Sequence, residues 1–365
     1  MSLELNFMTE AIVAGHLCLD IIPDLSAHAA GQFDAAFQPG WLVHAGPAAT
    51  STGGAVSNTG LALHRLGIET RLLARVGADQ FGRTIKQMLA EHAPALADGI
   101  VTSTGTSTSY SIVISPPGSD RRFLHHPGAN DDFNADDVRD EDVRDARLFH
   151  FGYPPLMAHM FADNGAELTE MFRRVKSLGL TTSLDMAFPD PDSNAGRADW
   201  RSILKNTLPH VDIFLPSLDE ILFMLGRKKD IPLSAPLLRE VSDGLLAMDT
   251  KMVVLKLGER GLYLRAAPLD VLHKLGRACP PQLTGWANYE GWSPCFQVKV
   301  VGTTGSGDAT VAGFLAALLR GLSPDKALAA ALAVGACSVE AADALSGIRS
   351  WDETWKRINA GWPSH

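Results

Sequence analysis

The sequence predicts an α/β fold: a mostly parallel central sheet flanked by helices on both faces, carrying a small antiparallel sheet as an appendage. Three observations predict it. Short apolar or β-branched runs alternate with helical patterns along most of the chain, the rhythm of βαβ units with buried parallel strands. Two strand-like runs, "TSYSIVIS" and "RRFLHHP", are joined by the turn-rich "PPGSD" with no helix between them. The 365 residues are 46% hydrophobic and 20% charged, enough to build a sizeable core.

Taken in order, "AIVAG", "RLLARVG", "RLFHFGY", "TTSLDM", "VDIFLPS" and "MVVLKLG" read as buried strands. Helices are expected over Val56–Leu66, Asp79–Glu91, Asn164–Ser177, Leu218–Leu225 and Ala235–Met248. "PGWLVHAG" joins the two runs above in the appendage, which spans about 16–50 and 106–128 and has the character of a lid over a cleft. Pro and Gly gather between 266 and 295, an inserted loop long enough to be functional or mobile. Its Trp286, Tyr289 and Trp292 are placed either to cover a base or to anchor the loop. No repeat or linker divides the chain, so residues 1–365 are read as a single domain.

Charge and cysteines narrow the function classes. With 32 Lys and Arg against 41 Asp and Glu the formal charge is −9, and no basic run stands out; nucleic acid and acidic membranes are not expected partners. Cys18, Cys279, Cys295 and Cys337 form no CxxC pair, which favours reduced thiols over zinc or a disulfide framework. The N-terminus is a poor signal peptide, and the Ala-rich run near 325–345 is too polar at its ends to span a membrane; a cytoplasmic location is expected.

"TTGSGDATVAGFLAAL" lies between "FQVKVV", which alternates like a strand, and an apolar helical pattern. Gly305 and Gly307 admit backbone angles that other residues resist, and the amides at a helix start suit a phosphate oxygen. Asp308 in that place repels phosphate unless it has another task, such as taking a proton from an attacking hydroxyl. A capping aspartate beside a tight turn is the alternative. The loop is neither a Walker A motif nor a dinucleotide fingerprint.

This segment resembles the C-terminal signature of the PfkB, ribokinase-like family of carbohydrate kinases, D-T-x-G-A/S-G-D followed by a Gly-containing helix. Five further segments match in order: "VAGHLCLD", similar to the family's first strand ending in Asp20, then "STGGAVSNTGLALHRLG", "RRFLHHPGAN", "LPSLDE" and "LKLGERGLYL". The resemblance implies ATP-dependent phosphorylation of a hydroxyl on a sugar or related polyol, with Mg2+ as cofactor. Asp308 would be the catalytic base and Gly305, Ser306 and Gly307 the anion hole. Asp20, Gly53, Gly54, Asn58 and Asn130 would face the acceptor. Ser217, Lys256, Gly258, Gly261, Thr303 and Thr304 would lie near the nucleotide, and Glu220 would hold Mg2+ through water.

The chain departs from the pattern at several positions. Ser217 stands where the N-x-x-E region has Asn, and Gly302 where an aspartate often starts the anion-hole motif; the latter argues against a monovalent-cation site. Cys18 stands where ribose-specific members carry Asn. A nucleoside kinase of the same fold, stacking its base on Phe33, Phe37 or Trp41, is one alternative, and a non-catalytic sugar- or nucleotide-binding relative is another. Similar proteins often pair through the lid, making a homodimer a candidate assembly.

Overall fold

A computed structural model describes residues 9–28, 33, 35, 38–117, 122–228 and 231–365. Among the described residues, thirteen strands form two sheets. They are β1 Ala11–Gly15, β2 Cys18–Pro23, β3 Ala48–Gly53, β4 Thr70–Gly77, β5 Ile100–Ser103, β6 Tyr110–Ile114 and β7 Arg122–His126, then β8 Leu148–Gly152, β9 Thr181–Asp185, β10 Ile213–Phe214, β11 Met252–Lys256, β12 Leu262–Ala266 and β13 Glu290–Ser293. The nine-stranded sheet has the order β13-β12-β11-β10-β9-β8-β1-β4-β5. It is parallel from β5 to β11, and β12 and β13 add an antiparallel edge. Strand β1 shows why the sheet is covered on both faces. All five of its residues are buried; Ala11 and Val13 join one apolar cluster, Ile12 and Ala14 the other.

The longer helices among the described residues are α1 Ala55–Arg65, α2 Gln80–His92, α3 Ala166–Ser177, α4 Trp200–Thr207, α5 Leu218–Met224, α6 Ala235–Leu246, α7 Ser306–Leu319, α8 Pro324–Ser338 and α9 Trp351–Asn359. The five helices expected from the sequence are present with ends shifted by a few residues, as fraying ends allow. Helices α7 and α8 are buried nearly all round. Their contact is close because Gly313 carries no side chain: a Cβ there would sit 2.9 Å from the Ala330 carbonyl oxygen.

The second sheet, ordered β3-β2-β6-β7, is the lid. Its outer ladders are antiparallel and its central pair, β2 and β6, is parallel. Asp79 ties the returning chain to the core: its carboxylate accepts from the backbone N and hydroxyl of Thr108, 2.7 and 2.6 Å, while capping α2 through the Gly82 N.

Four expectations need correction. "VAGHLCLD" is not one strand; His16 and Leu17 break it, so that β1 ends in the large sheet and Asp20 lies on β2 of the lid. The lid strand after Gly40 is Ala48–Gly53, not "PGWLVHAG", whose Trp41 and Leu42 lie exposed outside any strand. "FQVKVV" forms no strand despite its alternation; it has only a bridge from Phe296 to Ser364, because β12 already pairs with β11 and β13. "VDIFLPS" contributes only Ile213–Phe214. The 266–295 loop is partly ordered structure, closing the edge with β13 and anchoring itself through Trp286, which is fully buried edge-on against Phe314.

Candidate active site

Ligands of open α/β sheets bind beyond the carboxyl ends of the strands. Here the ends of β1, β8, β9 and β11 deliver His16, Tyr153, Asp185 and Lys256 to one edge. The lid faces that edge, and a cavity of about 1240 Å³ lies between them, lined by His16, Cys18, Asp20, Gly54, Asn58, Tyr153, Thr303, Thr304, Gly305 and Asp308 among others.

Asp308 stands in the first turn of α7, 2% exposed but on the cavity wall. Its Oδ2 accepts from Asn58 Nδ2 at 2.9 Å and its Oδ1 from the Thr59 hydroxyl at 3.3 Å. The Tyr153 hydroxyl reaches both oxygens, at 2.8 and 2.7 Å. Burial pushes the Asp308 carboxyl above its ordinary range, while Asn58, Lys256, Tyr153 and Thr59 hold it down. A carboxylate raised and then restrained in this way suits a general base.

Helix α7 starts at Gly305 with φ 70° and no side-chain cap, so its first-turn amides lack a side-chain partner, and the Ser306 N makes only a long bond to the Thr303 carbonyl, 3.4 Å. A Cβ at Gly305 would strike the Ala344 side chain, so glycine is required on both counts. Ser306 folds back on the Thr303 carbonyl, 3.0 Å from its hydroxyl. Lys256 Nζ lies 2.5 Å from Asp185 Oδ1, and a Cβ at Gly307 would be 3.7 Å from that ammonium. Burial works to strip Lys256 of its proton, but Asp185, then Glu220 and Asp308, hold its pKa above normal. Asp185, fully buried, is pushed up by burial against the pull of Lys256. Its Oδ2 has no partner among the described residues.

On the lid side, Asp20 hangs from β2, and burial raises its pKa. Gly53 makes room for it, since a Cβ there would collide with the Asp20 carboxylate. Gly54, at φ 90°, starts α1 against the His16 carbonyl. His125 points inward to within 3.4 Å of His16 Nε2, and His126 outward to Ser107, the opposite directions expected of strand neighbours. Burial lowers the pKa of both His16 and His125. Asn58 Oδ1 and His16 Nδ1 are buried without partners among the described residues.

Not every predicted residue reaches the cavity wall. Asn130 is fully buried, and its amide is spent on the backbone of Leu17, accepting from N at 3.2 Å and donating to O at 3.0 Å; it is a strut, not an acceptor contact. Ser217 and Glu220 form a capping box for α5, in which Glu220 Oε2 accepts from the Ser217 N at 2.6 Å. Gly258 and Gly261 sit in the β11–β12 turn, clasped by Trp292 Nε1 on the Arg260 carbonyl and Cys295 Sγ on the Gly258 carbonyl. Gly302 packs under the chain after α8, where a Cβ would lie 2.8 Å from the Ala341 and Ala342 carbonyls, leaving no room for an aspartate without rearrangement. Phe33 is buried and Trp41 exposed, neither on the cavity wall; Phe37 lies outside the described residues.

Tyr153 and Asp185 escaped the sequence reading. Their signal was present: each closes a parallel strand, and Tyr153 falls between a glycine and two prolines. At φ 70° and ψ 45° Tyr153 adopts a left-handed conformation that costs a non-glycine residue about 1–2 kcal/mol.

Comparison with known proteins agrees with this fold. Residues 8–351 match the model of the pfkB family carbohydrate kinases. An uncharacterised sugar kinase of Archaeoglobus fulgidus is 28% identical over 261 residues, 72% of this chain and 87% of that protein. Ribokinase of Arabidopsis thaliana, solved with ribose and ATP, superposes with a TM-score of 0.72 at 18% identity, covering 95% of this chain and 98% of that one. A ribokinase II of E. coli, solved with ATP and Mg2+, gives 0.71 at 22%, covering 96% and 99%. With the family model matching nearly its whole length, the chain belongs to the PfkB family of carbohydrate kinases.

Proposed function

We propose that the protein transfers the γ-phosphoryl group of ATP to a hydroxyl of a sugar or related polyol. One observation carries the reading: a restrained carboxylate, Asp308, on a cavity wall beside the uncapped start of a buried helix. Asp20 and Asn58 offer the accepting and mixed polar groups that hydroxyls need. Asp308 takes the proton of the attacking hydroxyl as the amides of Gly305, Ser306 and Gly307 receive the charge of the moving group. Lys256 adds a positive charge beside Gly307. Thr303 and Thr304 line the path to the phosphates, and the turn at Gly258 and Gly261 borders the nucleotide.

The residues present fit hydrated Mg2+. Asp185 keeps an oxygen with no partner among the described residues, Glu220 has one oxygen outside its capping box, and both act on Lys256. Magnesium supplies charge neutralisation between the phosphates when bound. The test is ADP formation by purified protein with Mg-ATP across a panel of sugars, polyols and nucleosides. Turnover with a sugar or polyol supports the reading, and none with any acceptor sinks it.

A nucleoside acceptor is the second reading, favoured by the apolar part of the cavity wall, where Leu156, Phe161 and Phe123 stand. Exposed Phe123 and Leu124 on the edge strand β7 support the further proposal of a homodimer through the lid, tested by the mass in solution of Leu124→Lys. No helix among the described residues is long and apolar enough to cross a membrane.

A further inference from the structure

The proposed transfer needs an alcohol that donates its O–H to Asp308 from about 2.6–3.2 Å. The chain already places one there. The Tyr153 hydroxyl stands 2.8 and 2.7 Å from the two Asp308 oxygens, on the wall of the cavity. The other bonds to that carboxylate, from Asn58 and Thr59, both come from helix α1, whereas Tyr153 comes from the end of β8.

We propose that Tyr153 is a plug: its hydroxyl occupies the seat of the acceptor hydroxyl, keeps water from the base, and yields only to an acceptor. The inference rests on the kinase reading above and goes beyond it.

Three observations carry it. The hydroxyl spans both carboxylate oxygens rather than one, so it blocks approach to either. Its backbone is held left-handed between Gly152 and the pair Pro154–Pro155, with the Leu156 N donating back to the Tyr153 carbonyl at 3.0 Å. Strain of this kind at a cavity wall is a mark of function rather than of folding. Finally, burial, Asp308 and Asp185 all raise the Tyr153 pKa, so the phenol stays protonated and remains a donor.

The plug discriminates by counting contacts. A polyol arriving at Asp308 brings further hydroxyls to Asp20, Asn58 and His16, which line the same cavity. These offset the loss of the phenol's bonds. A single water brings none of them. Without the plug, water would attack the γ-phosphorus, its proton would pass to Asp308, the bond from the γ-phosphorus to the bridging oxygen would break, and ADP would leave with ATP wasted.

The experiment measures ADP release from Mg-ATP with and without the acceptor found in the panel, for wild type, Tyr153→Phe and Tyr153→Gly. The first variant removes only the hydroxyl. The second removes the ring and suits the positive φ, so the fold tolerates at least one of them; a melting curve checks each. Acceptor-free hydrolysis should rise about tenfold or more in both, the smallest gain expected of a base newly open to water. The acceptor KM should fall, and less of the ATP consumed should appear as phosphorylated product. Unchanged acceptor-free hydrolysis in both folded variants, with wild type still phosphorylating its acceptor, overturns the plug alone. Absence of ADP formation in all three proteins with every acceptor overturns the kinase reading and the plug together.

Discussion

Lys256 Nζ lies 2.5 Å from Asp185 Oδ1 in the protein interior, linking the ends of β11 and β9 across the short β10 between them. The pair supports both the fold and the proposed chemistry, and the two roles separate by mutation. Lys256→Met leaves Asp185 buried without its cation and should cost about 3–5 kcal/mol in denaturant unfolding. Phosphoryl transfer should fall about 100-fold or more through loss of charge beside Gly307. Adding Asp185→Asn should restore much of the stability but not the rate, a double-mutant cycle that reads the ion pair directly.

Asp308→Asn should lower kcat by about 10²–10⁴-fold with nucleotide binding retained, measured by calorimetry. The same variant should melt no lower than wild type near neutral pH. The sign follows from the pKa raised by burial: the Asp308 carboxyl favours folding below its unfolded value and progressively less as pH rises through its folded one. An uncharged amide escapes that cost.

The rate should fall in acid as Asp308 takes up a proton, with the limb of the kcat/KM profile above the ordinary aspartate value of about 3.9. Asn58 donates to the charged form and holds the pKa down. Asn58→Leu should therefore move the limb to still higher pH, besides weakening acceptor binding.

Asn130→Ala should act on stability more than on recognition. It removes both hydrogen bonds to Leu17, between β1 and β2, leaving buried backbone groups unpaired at about 1–3 kcal/mol. Urea unfolding should show that loss while KM for the acceptor changes little. A large rise in KM at unchanged stability would return Asn130 to the acceptor site.

Asp79→Ala should cost about 0.5–2 kcal/mol through loss of the α2 cap, and more from the bonds to Thr108. Burial opposes the charged carboxylate, but bonds from Thr108 and Gly82 outweigh it and depress the pKa. The stability Asp79 supplies is present above the unfolded value of about 3.9 and fades as pH falls through the lower folded one. Wild type and variant should therefore converge in acid.

The sequence by itself determined the parallel sheet, the helices and the loop that opens α7, because those rest on periodicity and on the closely spaced Gly305 and Gly307. It also selected Asp20, Asn58 and Asp308, which do meet on one cavity. Alternation misled it at "FQVKVV" and a strand-like apolar run at "PGWLVHAG", since a strand needs a free partner edge as well as a pattern. Only the tertiary structure decided that Asn130 braces Leu17, that Gly302 lies under the Ala341–Ala342 turn, and that Tyr153 reaches Asp308 across 155 positions of chain. The reason is that a side chain's partner is set by where distant strands end in space, and local spacing carries no record of that distance.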